Sequence, residues 1–206
     1  MFNFFKRSDP VKAFWSWFAE NEGNLRQFEG NPSHYLHQML GKIRKISPGL
    51  ALELEPPRTG DIIMTISANG NRDLFDMVKK IIAKAPVIKG WEFLAFRQRM
   101  SKEQAGAIKL QSGEHELDPQ KMKFFPIADK GDLNIIVYVN GITESNFNQI
   151  AYSSLTLLDN ILGEFDCVMK VKNYDFHDMP TDERVLEGLM PLLDLPVFVD
   201  QFYGRN

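Results

Sequence analysis

Asp175, His177 and Asp178 form the one compact Asp/His group in this chain. An imidazole beside a carboxylate is what general-base catalysis or hydrolytic metal binding requires, because the carboxylate orients the ring and steadies its charge. The group follows a strand end, where polar residues ordinarily make a turn, and no nucleophile stands beside it, so the turn is the commoner explanation. His34 and His37 lie three apart on a helical segment without an acidic or Cys ligand nearby, which favours a surface pair over a metal site. Gly41-Lys42 lacks the upstream glycine of a phosphate loop, and Ser67 and Ser153 lack the flanking glycines of a nucleophile elbow. These patterns assign no catalytic residue, no metal and no cofactor.

A second candidate comes from charges set among apolar residues. Val11, Phe14, Trp15, Phe18, Leu25 and Phe28 recur at helical spacing, and Asn21 with Glu22 fall in the middle of that stripe. A carboxylate there must be paired or face an opening, since burying it alone costs several kcal/mol. Gly23 offers another outcome, a kink that turns Glu22 to solvent. Along Trp91 to Arg99, alternation puts Trp91, Phe93, Ala95, Arg97 and Arg99 on one face. An apolar face ending in two arginines either runs out past a sheet edge or builds an anion-binding or ion-paired corner. The expectation is a partly buried pair of Glu22 with Arg97 beside Trp91, and the candidate binding residues are Asn21, Glu22, Trp91, Arg97 and Arg99. Trp15 and Trp17, two apart on a helix, cannot both face a core, so one covers an edge or anchors a partner.

The elements that must position these residues read as two copies of one unit. Gly60-Asp61 recurs as Gly131-Asp132, and Asn69-Gly70 as Asn140-Gly141. Between those markers Ile62, Met64, Ile66 and Ala68 match Leu133, Ile135, Val137 and Val139, an alternation that buries one strand face. After each Asn-Gly the period lengthens to a helical one, carried by Leu74, Met77, Val78, Ile81, Ile82 and Ala85, and then by Phe147, Ile150, Ala151, Leu155, Leu158, Ile161 and Leu162. Asn71 with Asp73, and Thr143 with Glu144, supply a cap and a negative charge at the helix starts. Return strands are predicted to begin at Trp91-Glu92-Phe93 and Glu164-Phe165-Asp166, and earlier strands at Leu50 to Glu55 and Met122 to Ile127.

Each unit is thus β-β-α-β, a hairpin plus a right-handed crossover. The predicted fold class is α+β, with the duplicated unit (50–98 and 122–174) forming a large mixed sheet whose helices lie mainly on one face. A hairpin over Ile108 to Leu117, tipped by Ser112-Gly113, joins the copies. Two helices precede them within 9–46, starting at Asp9-Pro10 and Pro32. Thr181 to Leu193 reads as a short helix and Leu195 to Phe198 as a packing strap. Without linker-like or low-complexity stretches, 1–206 is expected to be one domain.

Composition bounds the partners. The charge of −3 gives no global attraction to nucleic acid, and 44% hydrophobic residues with 16 Phe argue against disorder. The single Cys167 cannot form an internal disulfide, and Phe165, Cys167, Met169 and Val171 alternate as a buried strand face would, so the thiol is expected to be a small core group in a reducing compartment. Apolar runs stay short of a membrane span, and Met1 to Phe5 is too short for a signal peptide before Lys6 and Arg7, which favours a cytoplasmic protein without stable membrane association. Three Phe and two cations at that end suit a frayed or core-docked terminus better than a membrane contact.

In the stretches Trp15-Ser16-Trp17-Phe18-Ala19-Glu20-Asn21-Glu22, Ile66-Ser67-Ala68-Asn69-Gly70, Ala85-Pro86 with Gly90-Trp91-Glu92-Phe93, Ala95-Phe96-Arg97-Gln98 and Leu158-Asp159 with Leu162-Gly163-Glu164, the chain resembles a family of uncharacterised bacterial proteins of similar length. That resemblance implies no activity and carries over no catalytic residue. Two readings of function follow from the residues. One is a non-enzymatic binding or protein-interaction protein, of accessory or toxin-neutralising type, whose partner is another protein. The other is a small hydrolase or small-molecule-binding enzyme with a cleft near Glu22, Trp91 and Arg97. A cleft with convergent polar groups favours the enzyme, and a flat apolar patch rimmed by charge favours the interaction protein. The oligomeric state is left open.

Overall fold

A computed structural model describes residues 9–57 and 60–204. The segment Met1 to Phe5, with Lys6 and Arg7, lies outside the described residues. The chain divides into two compact units, Met1–Arg97 and Gln98–Asn206.

In the first unit Asp9 accepts a hydrogen bond from the Val11 amide and Pro10 opens helix α1 (Pro10–Leu25), since proline's fixed φ and missing N–H suit the first helical position. Helix α2 (Pro32–Ile43) begins in the same way, capped by Asn31. Strand β1 (Ala51–Glu55) pairs antiparallel with β2 (Ile62–Ser67), helix α3 (Phe75–Ile82) crosses over, and β3 (Trp91–Ala95) returns parallel to β2. Asn71 caps the turn before α3 through the Asp73 amide. Ile62, Met64, Ile66 and Ala68 are all buried. Phe18 meets Trp91 and Phe93 edge-to-face at 4.9 and 5.3 Å, and the Trp15 indole donates to the Ile81 carbonyl at 2.8 Å. Trp15 is therefore the core tryptophan. Trp17 stays partly exposed, with the Lys42 ammonium 4.9 Å above its ring.

The second unit opens with the short helix α4 (Lys102–Gly106) and a hairpin of β4 (Leu110–Ser112) and β5 (His115–Leu117), turned at Gly113. Strand β6 (Lys123–Asp129) pairs antiparallel with β7 (Asp132–Val139), helices α5 (Phe147–Leu162) and α6 (Glu164–Lys170) cross over, and β8 (Asn173–Asp178) returns parallel to β7. After α7 (Glu183–Glu187), β9 (Met190–Pro191) adds to the far edge of β6, and α8 (Leu195–Phe202) ends the described chain. Leu133, Ile135, Val137 and Val139 are buried with Ile150, Leu158 and Ile161 of α5 and with Leu195 and Val199 of α8.

The fold is α+β, and the β-β-α-β order recurs in both units, after two N-terminal helices. The expected large mixed sheet is divided in two, β1-β2-β3 and β8-β7-β6-β9. Several local expectations are corrected. Glu164 to Lys170 is a helix, not a strand: Cys167 is buried, but Phe165 and Met169 are exposed, and the return strand starts only at Asn173. In the helix residues two apart fall on opposite sides, so Cys167 faces inward while Phe165 and Met169 face out, and Gly163, with a φ of 85°, re-aims the chain into this second helix. Helix α5 is preceded by Asn146 rather than capped by Thr143, and Phe147 and Leu155 of its stripe are exposed. Leu195 to Phe198 is helical, and Thr181 to Leu193 divides into α7, β9 and a turn of 3-10 helix.

One-sided burial makes a direct test. Ile135→Ala should cost about 2–5 kcal/mol in urea unfolding, whereas Ile127→Ala, on the other face of the same sheet, should stay within about 0.5 kcal/mol. Equal losses at both positions would contradict this assignment of faces.

Candidate functional site

The charged residues expected to converge on one corner are used in separate places. Glu22 in the last turn of α1 and Arg26, the residue that caps it, are four apart and pair at 2.7 Å. The Arg26 guanidinium also donates to the Lys89 carbonyl and lies 6.0 Å from the centre of the Trp91 ring, whose indole N–H points to Glu22 Oε2 at 3.4 Å. Gly90, at a φ of 82°, admits this arginine, because a side chain there would occupy the guanidinium's place. Asn21 donates back to the Trp17 carbonyl at 2.7 Å. Glu22 and Trp91 thus do meet, with Arg26, as a staple between the end of α1 and the start of β3, while the Asn21 bond stays within its own helix.

Arg97 is not part of it, which corrects the expected Glu22–Arg97 pair. Strand alternation ends at Phe96, whose φ of 68° is a left-handed conformation uncommon for a bulky residue. Phe96 takes the buried place, 4.5 Å from the Phe75 ring. Arg97, only 8% exposed, turns to Glu53 at 2.6 Å and to the Asn69 side-chain oxygen at 3.4 Å. Glu53 alternates with Leu52 and Leu54 and so lies on the sheet face opposite Trp91.

Arg99 belongs to the second unit, where it ties three elements together. It donates to the Leu162 carbonyl at the end of α5 (3.2 Å), to Asp166 of α6 (3.1 Å) and to Asp200 of α8 (2.6 Å). Lys170 completes the ring of charges at 3.1 Å from Asp166 and 3.5 Å from Asp200. Two cations and two carboxylates neutralise one another, leaving no unbalanced charge to attract an anion. The Arg99 guanidinium holds the Asp200 carboxyl below its ordinary value, and Lys109 does the same for Asp118.

Asp175, His177 and Asp178 lie within strand β8 and not in a turn after a strand, which corrects their expected place. Asp175 and His177 pair at 2.8 Å, the imidazole N–H donating to a carboxylate that it holds below the usual range. Asp178 accepts from the Gly141 and Ile142 amides at 2.7 and 3.1 Å and so fixes the loop after β7. Beside them, at the carboxyl ends of the parallel strands β7 and β8, lies an open recess of about 470 Å³ lined by Ile142, Thr143, Phe147, Asn148, Phe176 and His177. Parallel sheets commonly receive ligands at that end. An imidazole paired with a carboxylate is present there, yet no hydroxyl or thiol hydrogen-bonds His177 among the described residues. Cys167 is buried and its thiol pushed well up by desolvation, the opposite of an activated nucleophile. His34 contacts Gln38 and Tyr35, and among the described residues no group of three metal-binding side chains gathers.

Sequence reasoning overlooked the outward face of the second sheet. Phe125 and Ile127 are 41% and 42% exposed there. Opposite Phe125 stands Ile136, and Lys123 stands opposite Tyr138. The alternation that flagged the inner face also marks these residues, because every second position between buried ones must point the other way. Their apolar character was the available signal. Among the described residues, no helix is long and apolar enough to cross a membrane.

The Arg99 cluster sets a pH dependence. A carboxyl held low in the fold adds stability above the unfolded carboxylate value, near pH 4, and loses it as pH falls through the lower folded value. Wild type should therefore exceed Asp200→Asn in unfolding free energy at neutral pH, with the gap closing below about pH 4. A gap that widened in acid would contradict the assignment.

Comparison of the chain with protein-family models, curated proteins and solved structures finds no match.

Proposed function

We propose that this chain is a non-enzymatic, cytoplasmic protein-interaction protein, of accessory or toxin-neutralising type, that binds another protein on the outward face of the β8-β7-β6-β9 sheet. The observation that carries the reading is the apolar centre of that face, where Phe125 and Ile127 are exposed and Ile136 and Tyr138 half-buried. Polar and charged groups border it: Lys123 and His177 at one end, Asp129 and Asp132 at the other, with Asp175 beside Ile136. An open apolar patch with a charged rim is the ordinary make-up of a docking surface, where an aromatic anchor supplies much of the affinity. The arginines and carboxylates singled out in the sequence support the same view, since each is engaged by a neighbour in its own unit. The resemblance to uncharacterised bacterial proteins is compatible with this role and adds no activity to it.

A second reading, a small hydrolase or small-molecule-binding protein, is favoured by the recess beside the Asp175–His177 pair. It moves the alternative site away from Glu22, Trp91 and Arg97, whose side chains are committed to structural pairs.

Photo-crosslinking decides between them. A benzoylphenylalanine placed at Phe125 should give protein adducts in cells, while one at Val87, fully exposed in the first unit, should give few. Equal or absent labelling, together with a thermal shift by small molecules that His177→Ala abolishes, would favour the second reading.

A further inference from the structure

The outward side chains of β6 are Lys123, Phe125, Ile127 and Asp129: a cation, two apolar groups and an anion on alternate residues. Read in the opposite direction, the same row runs anion, apolar, apolar, cation. Two such rows laid antiparallel and face to face set Lys123 of one against Asp129 of the other at both ends, with Phe125 against Ile127 twice between them. A twofold axis lying between two sheets, at right angles to their strands, generates this arrangement from identical copies. The neighbouring strand agrees with it. Tyr138 stands beside Lys123 and Asp132 beside Asp129, so the reversed copy sets a phenol donor against a carboxylate that Lys172 also holds, and Ile136 against Asn134.

We propose that the face docks on the same face of a second copy of this chain, as an antiparallel pair of stacked sheets. This inference rests on the docking reading above and names the partner. Charge complementarity selects that partner. Neither Lys123 nor Asp129 is in a direct ion pair among the described residues; Lys172, which pairs with Asp132, lies near enough to Asp129 to feel its charge, so the Lys123 end of the row is the less neutralised of the two. A face shaped for an unrelated protein has no reason to be its own complement. Stacked sheets prefer strands within about 30° of alignment, which keeps both charged ends in register. The face also sets the strength. Three strands about 4.8 Å apart, each about 20 Å long, cover less than the roughly 800 Å² per partner of a standard interface. The association belongs to the weak, reversible class.

Sedimentation of the full chain over a wide concentration range tests this, using Lys123→Asp, Asp129→Lys and the double reversal. Wild type should pass from monomer to dimer as concentration rises. Each single reversal puts like charges together twice and should weaken association by at least about tenfold. The double reversal restores opposite charges and should return association toward the wild-type value. A wild type that stays monomeric throughout, or a double variant no better than the singles, overturns the proposal. Should a reversal disturb folding, crosslinking purified wild type from position 125 keeps the test open, since the adduct should join that position to the segment around Ile127 of a second copy. Monomeric wild type whose Phe125 position crosslinks to a different protein overturns the second copy and spares the docking reading. Monomeric wild type without any adduct removes both.

Discussion

The architecture depends on alternation along a strand. Side chains of β2 and β7 point to opposite faces at successive residues, and in each strand only one set is uniformly apolar. That set must be covered, and burial of Leu133, Ile135, Val137 and Val139 beneath α5 and α8 removes from water the surface that stabilises the second unit. Helices on the inner face follow from this requirement. The outer face, with Phe125 and Tyr138, is what the same geometry leaves over.

Polar groups follow the packing and do not direct it. Glu22 lies within an apolar stripe, and the cation that neutralises it is four residues on, at the C-terminal cap of α1. Arg97, Arg99 and Lys170 are each matched by carboxylates. Partly buried charges of this kind persist only when paired, which explains why residue types that suggest a catalytic corner produce structural ties. The Asp175–His177 pair is the exception in position, since it stands at the open end of the parallel strands beside a recess.

The parts legible in the sequence are those with a strict period. Gly60-Asp61 with Asn69-Gly70, matched by Gly131-Asp132 with Asn140-Gly141, bound the two central strands, and their inner faces are as expected. Proline and a capping residue marked the starts of α1 and α2 for a local chemical reason. Where a period ran for only a few residues, the reading failed: Phe165, Cys167, Met169 and Val171 could not separate strand from helix. The left-handed Phe96 left no trace in its residue type, and it alone sends Arg97 away from Trp91. The partner of Glu22 was misjudged because a long-range pair was preferred to Arg26, four residues on. The division into two sheets was hidden for a similar reason, since strand alternation says which face is buried and not which strands are neighbours.

The central claim is that the second sheet is buried on one face and open on the other. Hydroxyl-radical footprinting of dilute protein, read by mass spectrometry at single residues, measures this most directly at adjacent positions of β6. The account expects strong oxidation of Phe125 and protection of Phe124, which is fully buried. Comparable oxidation of both, or protection of Phe125 alone, would contradict it.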